Sequence, residues 1–134
     1  MIFVLALGLH GAVSQQAAPA PYAEDVVILG ERMNTIKFDV GMKNGNFFCT
    51  IRQSSGDDDL DALYCNAQRY CSTYVTQLYV QYDEALKSRA TRKAARRAIE
   101  TGASQCLEQT ADRMLENLAE MRWRDRQATT TESN

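Results

Sequence analysis

Residues 64–71 read YCNAQRYC, and the placement of Cys65 and Cys71 in that stretch decides how the chain folds. On a helix, residues six positions apart are separated by about 9 Å along the axis and about 120° around it. A disulfide needs Cα atoms within about 7 Å, so these two cannot bond to each other while the helix holds. Each must find its partner on another element, and the spacing is not that of a CxxC redox motif.

The flanking residues predict that helix. SSGDDDLD, residues 54–61, places a turn at Ser54, Ser55, Gly56 and Asp57. Asp57, Asp58, Asp59 and Asp61 then stand at a helix start, where carboxylates cap amides and meet the positive end of the dipole. The helix is expected from about Asp58 to Lys87, with Leu60, Ala67, Cys71, Val75, Leu78, Tyr82 and Leu86 on one face. Upstream, TIKFDVGM and NFFCTIRQ flank Lys43-Asn44-Gly45. Asn-Gly accepts positive φ at low cost, and Ile36, Phe38 and Val40 alternate on one side as Phe47, Cys49 and Ile51 do on the return, which predicts a β-hairpin. The short apolar run Val26–Leu29, ended by Gly30, reads as a third, edge strand.

A further helix is expected from Arg92 to about Arg126. Its apolar arc is carried by Ala94, Ala95, Ala98 and Ile99 before Gly102, and by Ala103, Leu107, Ala111, Met114, Leu118 and Met121 after it. The second arc is rotated by about 120° from the first, which predicts a break or bend at Thr101-Gly102. The tail 127–134, QATTTESN, is expected to be disordered.

Levels along these elements suggest the cysteine partners. Cys49 lies about 13 Å from the end of its strand and Cys65 about 10 Å into the following helix, so an antiparallel return brings them to one height. A helical hairpin turning near residues 88–90 makes Cys71 and Cys106 almost equidistant from the turn. The preferred pairs are Cys49 with Cys65 and Cys71 with Cys106; Cys49–Cys71 with Cys65–Cys106 is the alternative, since connectivity does not follow from sequence alone. A zinc site of all four thiolates would need pairs at closer spacing, which the chain lacks.

The 134 residues, 45% hydrophobic and 24% charged, suit one domain, placed at 25–126. Ahead of it, the apolar run from Ile2 to Leu9 followed by Ala12-Val13-Ser14 reads as a signal peptide over 1–14, and residues 15–24, with both prolines, read as a flexible linker. That run is too short to span a membrane, and no transmembrane segment is expected in the mature chain. The single histidine, His10, falls in the leader, so the mature chain would lack Ser/His/Asp and Cys/His catalysis and His-bearing metal sites. Export and an even cysteine count together predict disulfides and a periplasmic or secreted protein. A net charge of −2 argues against a general nucleic-acid binder. No cofactor and no metal is implied.

Candidate sites are sparse. DDDLD fails as a calcium loop, because a loop starting at Asp57 puts Ala62 where glycine is required and Gln68 where the bidentate glutamate belongs. Lys87, Arg89, Arg92, Lys93, Arg96 and Arg97 concentrate positive charge, which fits either a solvated connection or a site for anions and lipid headgroups with weak membrane-surface contact. Tyr64, Tyr70, Tyr74, Tyr79 and Tyr82 spread around too much of their helix to be all core, which marks Tyr74 and Tyr79, with Trp123, as interface candidates toward a protein or envelope component. No catalytic constellation is visible, so the chain reads as a non-enzyme, with a carboxylate-only hydrolase as the enzymatic alternative.

DVVILGER, a glycine-bearing turn, Cys49, SSGDDDLD, Cys65 and Cys71, spanning about residues 25–75, resembles small exported cysteine-containing proteins of Gram-negative bacteria, a resemblance that implies export and no activity. EDVVILG, residues 24–30, is similar to the TonB box of outer-membrane receptors, but a chain this short cannot supply their barrel. The expectation is an α+β domain: an N-terminal β-hairpin packed on two or three helices, braced by two disulfides, with a binding or structural role in the cell envelope or outside.

Overall fold

The hairpin forms where the Asn-Gly pair directs it. The computed structural model describes residues 17–132, so the leader expected over 1–14 lies outside the described residues. Strands β1 (Lys37–Lys43) and β2 (Asn46–Gln53) join through Asn44 and Gly45, at φ 52° and 76°, the two left-handed positions of a type I′ turn. Phe38 pairs with Ile51, Val40 with Cys49 and Met42 with Phe47. The register shifts between Lys37 and Phe38, leaving Arg52 as the extra residue of a bulge, and Arg52 forms an ion pair with Asp39.

Helix α1 (Ala23–Met33) replaces the edge strand expected at Val26–Leu29, and helix begins inside the stretch read as linker. A four-residue apolar run does not distinguish strand from helix by itself. The longer spacing does: Tyr22, Val26, Leu29 and Met33 recur at three- and four-residue intervals and pack into the core, while Val27 and Ile28 remain exposed.

Helix α2 (Asp58–Gln81) starts where the Asp57 carboxylate accepts a hydrogen bond from the Leu60 amide at 3.2 Å. It stops short of the expected Lys87. Tyr82 leaves helical geometry, and the short α3 (Asp83–Lys87) restarts with Asp83 and Glu84, acids suited to a fresh N-terminus. Buried Leu60, Leu63, Ala67, Cys71 and Leu78 trace one face of α2.

Helix α4 (Arg92–Glu132) runs unbroken through Thr101-Gly102, where a bend was expected. The phase change has another cause. In the first part Ala95, Ile99 and Thr110 are buried, with Gly102 against Leu78 and Thr110 against Cys71 of α2, whereas Leu115, Leu118 and Ala119 enter a core shared with α1, the hairpin and the start of α2. The apolar arc turns because a second neighbour begins, not because the axis does. Gly102 serves closeness: a Cβ there would lie 2.7 Å from Leu78 Cδ1. The helix also continues past the point where disorder was expected, with the hydroxyls of Thr129, Thr130 and Thr131 returned to carbonyls three or four residues back.

The hairpin lies on α2 through three adjacent contacts. Phe38 packs on Tyr64 with ring centroids 4.2 Å apart, Cys49 bonds Cys65, and the Arg69 guanidinium sits 5.7 Å from the Phe47 ring centre. The architecture is thus the expected α+β one, a hairpin on helices held by two disulfides, with four helices and both preferred cysteine pairs, at Cα separations of 5.7 and 5.9 Å.

Candidate functional site

The Cys71–Cys106 disulfide ties the middle of α2 to the first half of the antiparallel α4, and the side chains flanking it form a groove of about 500 Å³. On α2 the wall is Tyr70, Tyr74 and Gln77; on α4 it is Gln105, Gln109 and Arg113. Each set recurs at three or four residues, so each forms a stripe on one helix face. Gly102 and Thr110 belong to the floor, and the Thr110 hydroxyl donates weakly to the disulfide sulfurs, 3.7 Å from Cys71 Sγ and 3.9 Å from Cys106 Sγ. Tyr70 and Tyr74 are 63% and 41% exposed, so their rings face solvent over the groove. Among the described residues, these two phenols, the three amides and the Arg113 guanidinium have no hydrogen-bond or ion-pair partner in the protein.

The acidic start of α2 is different. Arg122 holds Asp57 through two bonds of 2.7 and 2.8 Å and reaches Asp59 at 2.9 Å, while Arg32 approaches Asp57 at 3.8 Å. The Arg122 hydrogen bonds are the largest influence on Asp57; against the opposing effect of burial, and with help from the Leu60 amide, they lower its pKa to about 2. Arg122 is held above its already high ordinary value, chiefly by hydrogen bonding to Asp57. Burial pushes the Asp61 carboxyl up, but bonds from the Ser54 and Ser55 hydroxyls and the Ser55 amide outweigh it and the net direction is down. These carboxylates have internal partners and build the fold.

At the other end of α4, the structure gathers Arg89, Arg92, Lys93, Arg96 and Arg97 around one depression of about 340 Å³, with Glu100 at its side. Arg92 is partly engaged, donating to the Leu86 and Lys87 carbonyls at 2.8 and 3.4 Å. Lys87 is taken by Asp83 at 2.6 Å and Glu84 at 3.0 Å. Among the described residues, no carboxylate comes within ion-pair distance of Arg89, Lys93, Arg96 or Arg97.

The interface candidates named from sequence do not share a surface. Tyr74 lines the disulfide-floored groove, Tyr79 lines a more apolar groove of about 400 Å³ with Met42, Phe47 and Leu107, and half-buried Trp123 lines neither. Sequence reasoning missed Gln77, Gln105, Gln109 and Arg113. The legible signal was the four-residue repeat Gln105, Gln109, Arg113 beside Cys106, matching Tyr70 and Tyr74 beside Cys71.

Among the described residues, no three His, Cys, Asp or Glu side chains gather to hold a metal ion, and no helix is long and apolar enough to cross a membrane. Two disulfides joining separate elements fit a protein outside the reducing cytoplasm. Compared with protein-family models, with curated proteins and with solved structures, the chain matches none.

Proposed function

We propose that this is a small exported binding protein of the periplasm or extracellular space, engaging its ligand through the groove between α2 and α4. The observation that carries the reading is the juxtaposition of a floor that includes Cys106, tied to α2 by its disulfide, with walls whose polar groups have no partner inside the protein. The disulfide fixes the two helices that form the walls, and the open hydrogen-bonding groups they carry are free to satisfy a ligand's donors and acceptors. Export is supported by the disulfides together with the leader-like residues 1–14.

A photo-crosslinking residue in place of Gln105 tests this in the producing cell's envelope. It should capture a discrete component that the same residue in place of exposed Glu116, outside the groove, does not. Equal capture at both positions, or none at Gln105, sinks the reading. Mass spectrometry of the natively produced chain tests export separately, and an intact leader with alkylatable thiols counts against it.

A second reading, an anion or lipid-headgroup binder, is favoured by the unpaired cations around the start of α4. It predicts sedimentation with anionic vesicles that disappears at high salt and in R96E/R97E. Vesicle binding that survives both changes removes it.

A further inference from the structure

The geometry points to a short oligosaccharide bearing a carboxylate as the ligand of the α2–α4 groove, with Tyr70 and Tyr74 as stacking surfaces and Arg113 as the anion contact. This rests on the proposed binding role and adds the chemistry of the ligand.

Three features select a sugar. The exposed tyrosine rings offer flat, electron-rich faces, and the face of a pyranose carries C–H bonds whose slight positive charge suits them. Gln77, Gln105 and Gln109 each bring an acceptor and two donors, a set that matches vicinal hydroxyls, which donate and accept together. The groove is long and shallow: the rise along α4 from Gly102 to Arg113 is about 16 Å, so several ring positions can be read in sequence.

A peptide is disfavoured by the same walls. Both are helices whose backbone groups are bonded internally, so no edge exists for strand addition. Apart from the tyrosine faces the walls carry amides, hydroxyls and a guanidinium, and no apolar hole waits for an anchoring side chain. The apolar groove beneath the hairpin tip, lined by Val40, Met42, Phe47 and Leu107, would suit such an anchor better.

Charge sets the last element of specificity. The antiparallel packing that pairs Cys71 with Cys106 puts Arg113 toward the Tyr70 end and Gly102 toward the Gln77 end. Arg113 therefore marks one end of the groove, where its planar fork can accept a carboxylate in bidentate fashion. Gly102 keeps α2 and α4 close at the other end, where Leu78 and Tyr74 pack over it.

Calorimetric titration of the mature, oxidised protein with uronic-acid oligosaccharides and their uncharged counterparts tests the assignment. The acidic form should bind more tightly. Tyr74→Ala should weaken both about fivefold, the scale of one aromatic contact. Arg113→Gln should weaken the acidic form alone about tenfold, the scale of one hydrogen bond to a charged group, and so collapse the preference. Circular dichroism of each variant confirms that the helices persist. No binding of either form at millimolar concentration overturns the inference, as does binding unchanged in Tyr74→Ala and in Q105A/Q109A. Binding that persists in those variants but disappears in R96E/R97E also overturns it, because the sugar then sits on the basic start of α4. Capture of a peptide by the crosslinker at Gln105, with no sugar bound, sinks the sugar while leaving the binding role standing.

Discussion

Where α2 begins, Asp57, Asp58, Asp59 and Asp61 set negative charge against the positive end of the helix dipole. Where α4 begins, Arg92, Lys93, Arg96 and Arg97 set positive charge on or near the same kind of end. The first start is locally consistent, and Asp57, Asp59 and Asp61 are engaged by Arg122, Arg32 and Ser55. The second is locally unfavourable, and most of its charges face solvent. The packing follows the same division. Around the start of α2, four elements close over Leu29, Ile36, Leu60, Leu63, Leu115, Leu118 and Ala119. Toward the start of α4 the buried apolar residues are few, among them Leu78, Ala95 and Ile99. One end is built to hold the fold, and the other spends little burial on stability and keeps its surface available. The groove lies at the junction, where Cys71–Cys106 substitutes a covalent bond for the missing core.

Removing that bond should give the largest effect. For a sequence separation of 35, the chain-entropy model puts C71S/C106S at about 4 kcal/mol of lost stability, against about 3 kcal/mol for C49S/C65S with its separation of 16. Urea unfolding measures both. The regional contrast is the sharper test: in C71S/C106S, amide exchange should accelerate first at residues 72–79 and 93–105, ahead of 58–65 and 111–119. Simultaneous opening of the two sets would break the comparison.

The acidic end makes the next prediction. The Asp57 side chain is 9% exposed, and its pKa is lowered from an ordinary 3.8 to about 2. The stability this supplies is fully present above about pH 4 and is lost as pH falls toward 2, because the unfolded chain takes up the proton first. Allowing for the 31% exposure of Arg122, the contribution is about 2 kcal/mol. Asp57→Asn should therefore lose about that much at pH 7 and converge on the unaltered protein near pH 2. A constant difference across that range would mean that the carboxylate's charge is not what joins α2 to α4.

The same contrast explains what could be read in the sequence. The hairpin was legible because Asn44-Gly45 and its alternating flanks act within a few residues, and levels along neighbouring elements favoured the cysteine pairs that form, without excluding the alternative. Distance hid the rest. Asp57 was recognisable as a cap, but its partner Arg122 stands 65 residues away, and nothing local marks that arginine among its neighbours. Val26–Leu29 looked like a strand because its apolar residues are contiguous; only their burial against α4 shows which of them face inward. Gly102 was read as a break or bend, although its role is contact with Leu78, and the two meanings of a helical glycine differ only in tertiary structure. The groove was missed because tyrosine, glutamine and arginine on exposed helix faces look like ordinary solvated surface until two stripes meet.

Placing an acid at the basic end should have the smallest effect and the opposite sign. Lys93 lies in the first turn of α4, where a cation opposes the dipole and an anion favours it. Lys93→Glu should therefore stabilise the protein, by about 0.5 kcal/mol at low ionic strength, and the gain should shrink as salt screens it. Reversal at this one position also relieves repulsion among Arg89, Arg92, Arg96 and Arg97, which crowd the same depression. A stability gain accompanied by loss of vesicle binding would show that the chain retains an unfavourable charge arrangement at this end for the sake of an anion. A stability gain with unchanged interactions would assign those cations to solvent. A loss of stability would mean that Lys93 already has a favourable place, and that the contrast between the two helix starts is weaker than their sequences imply.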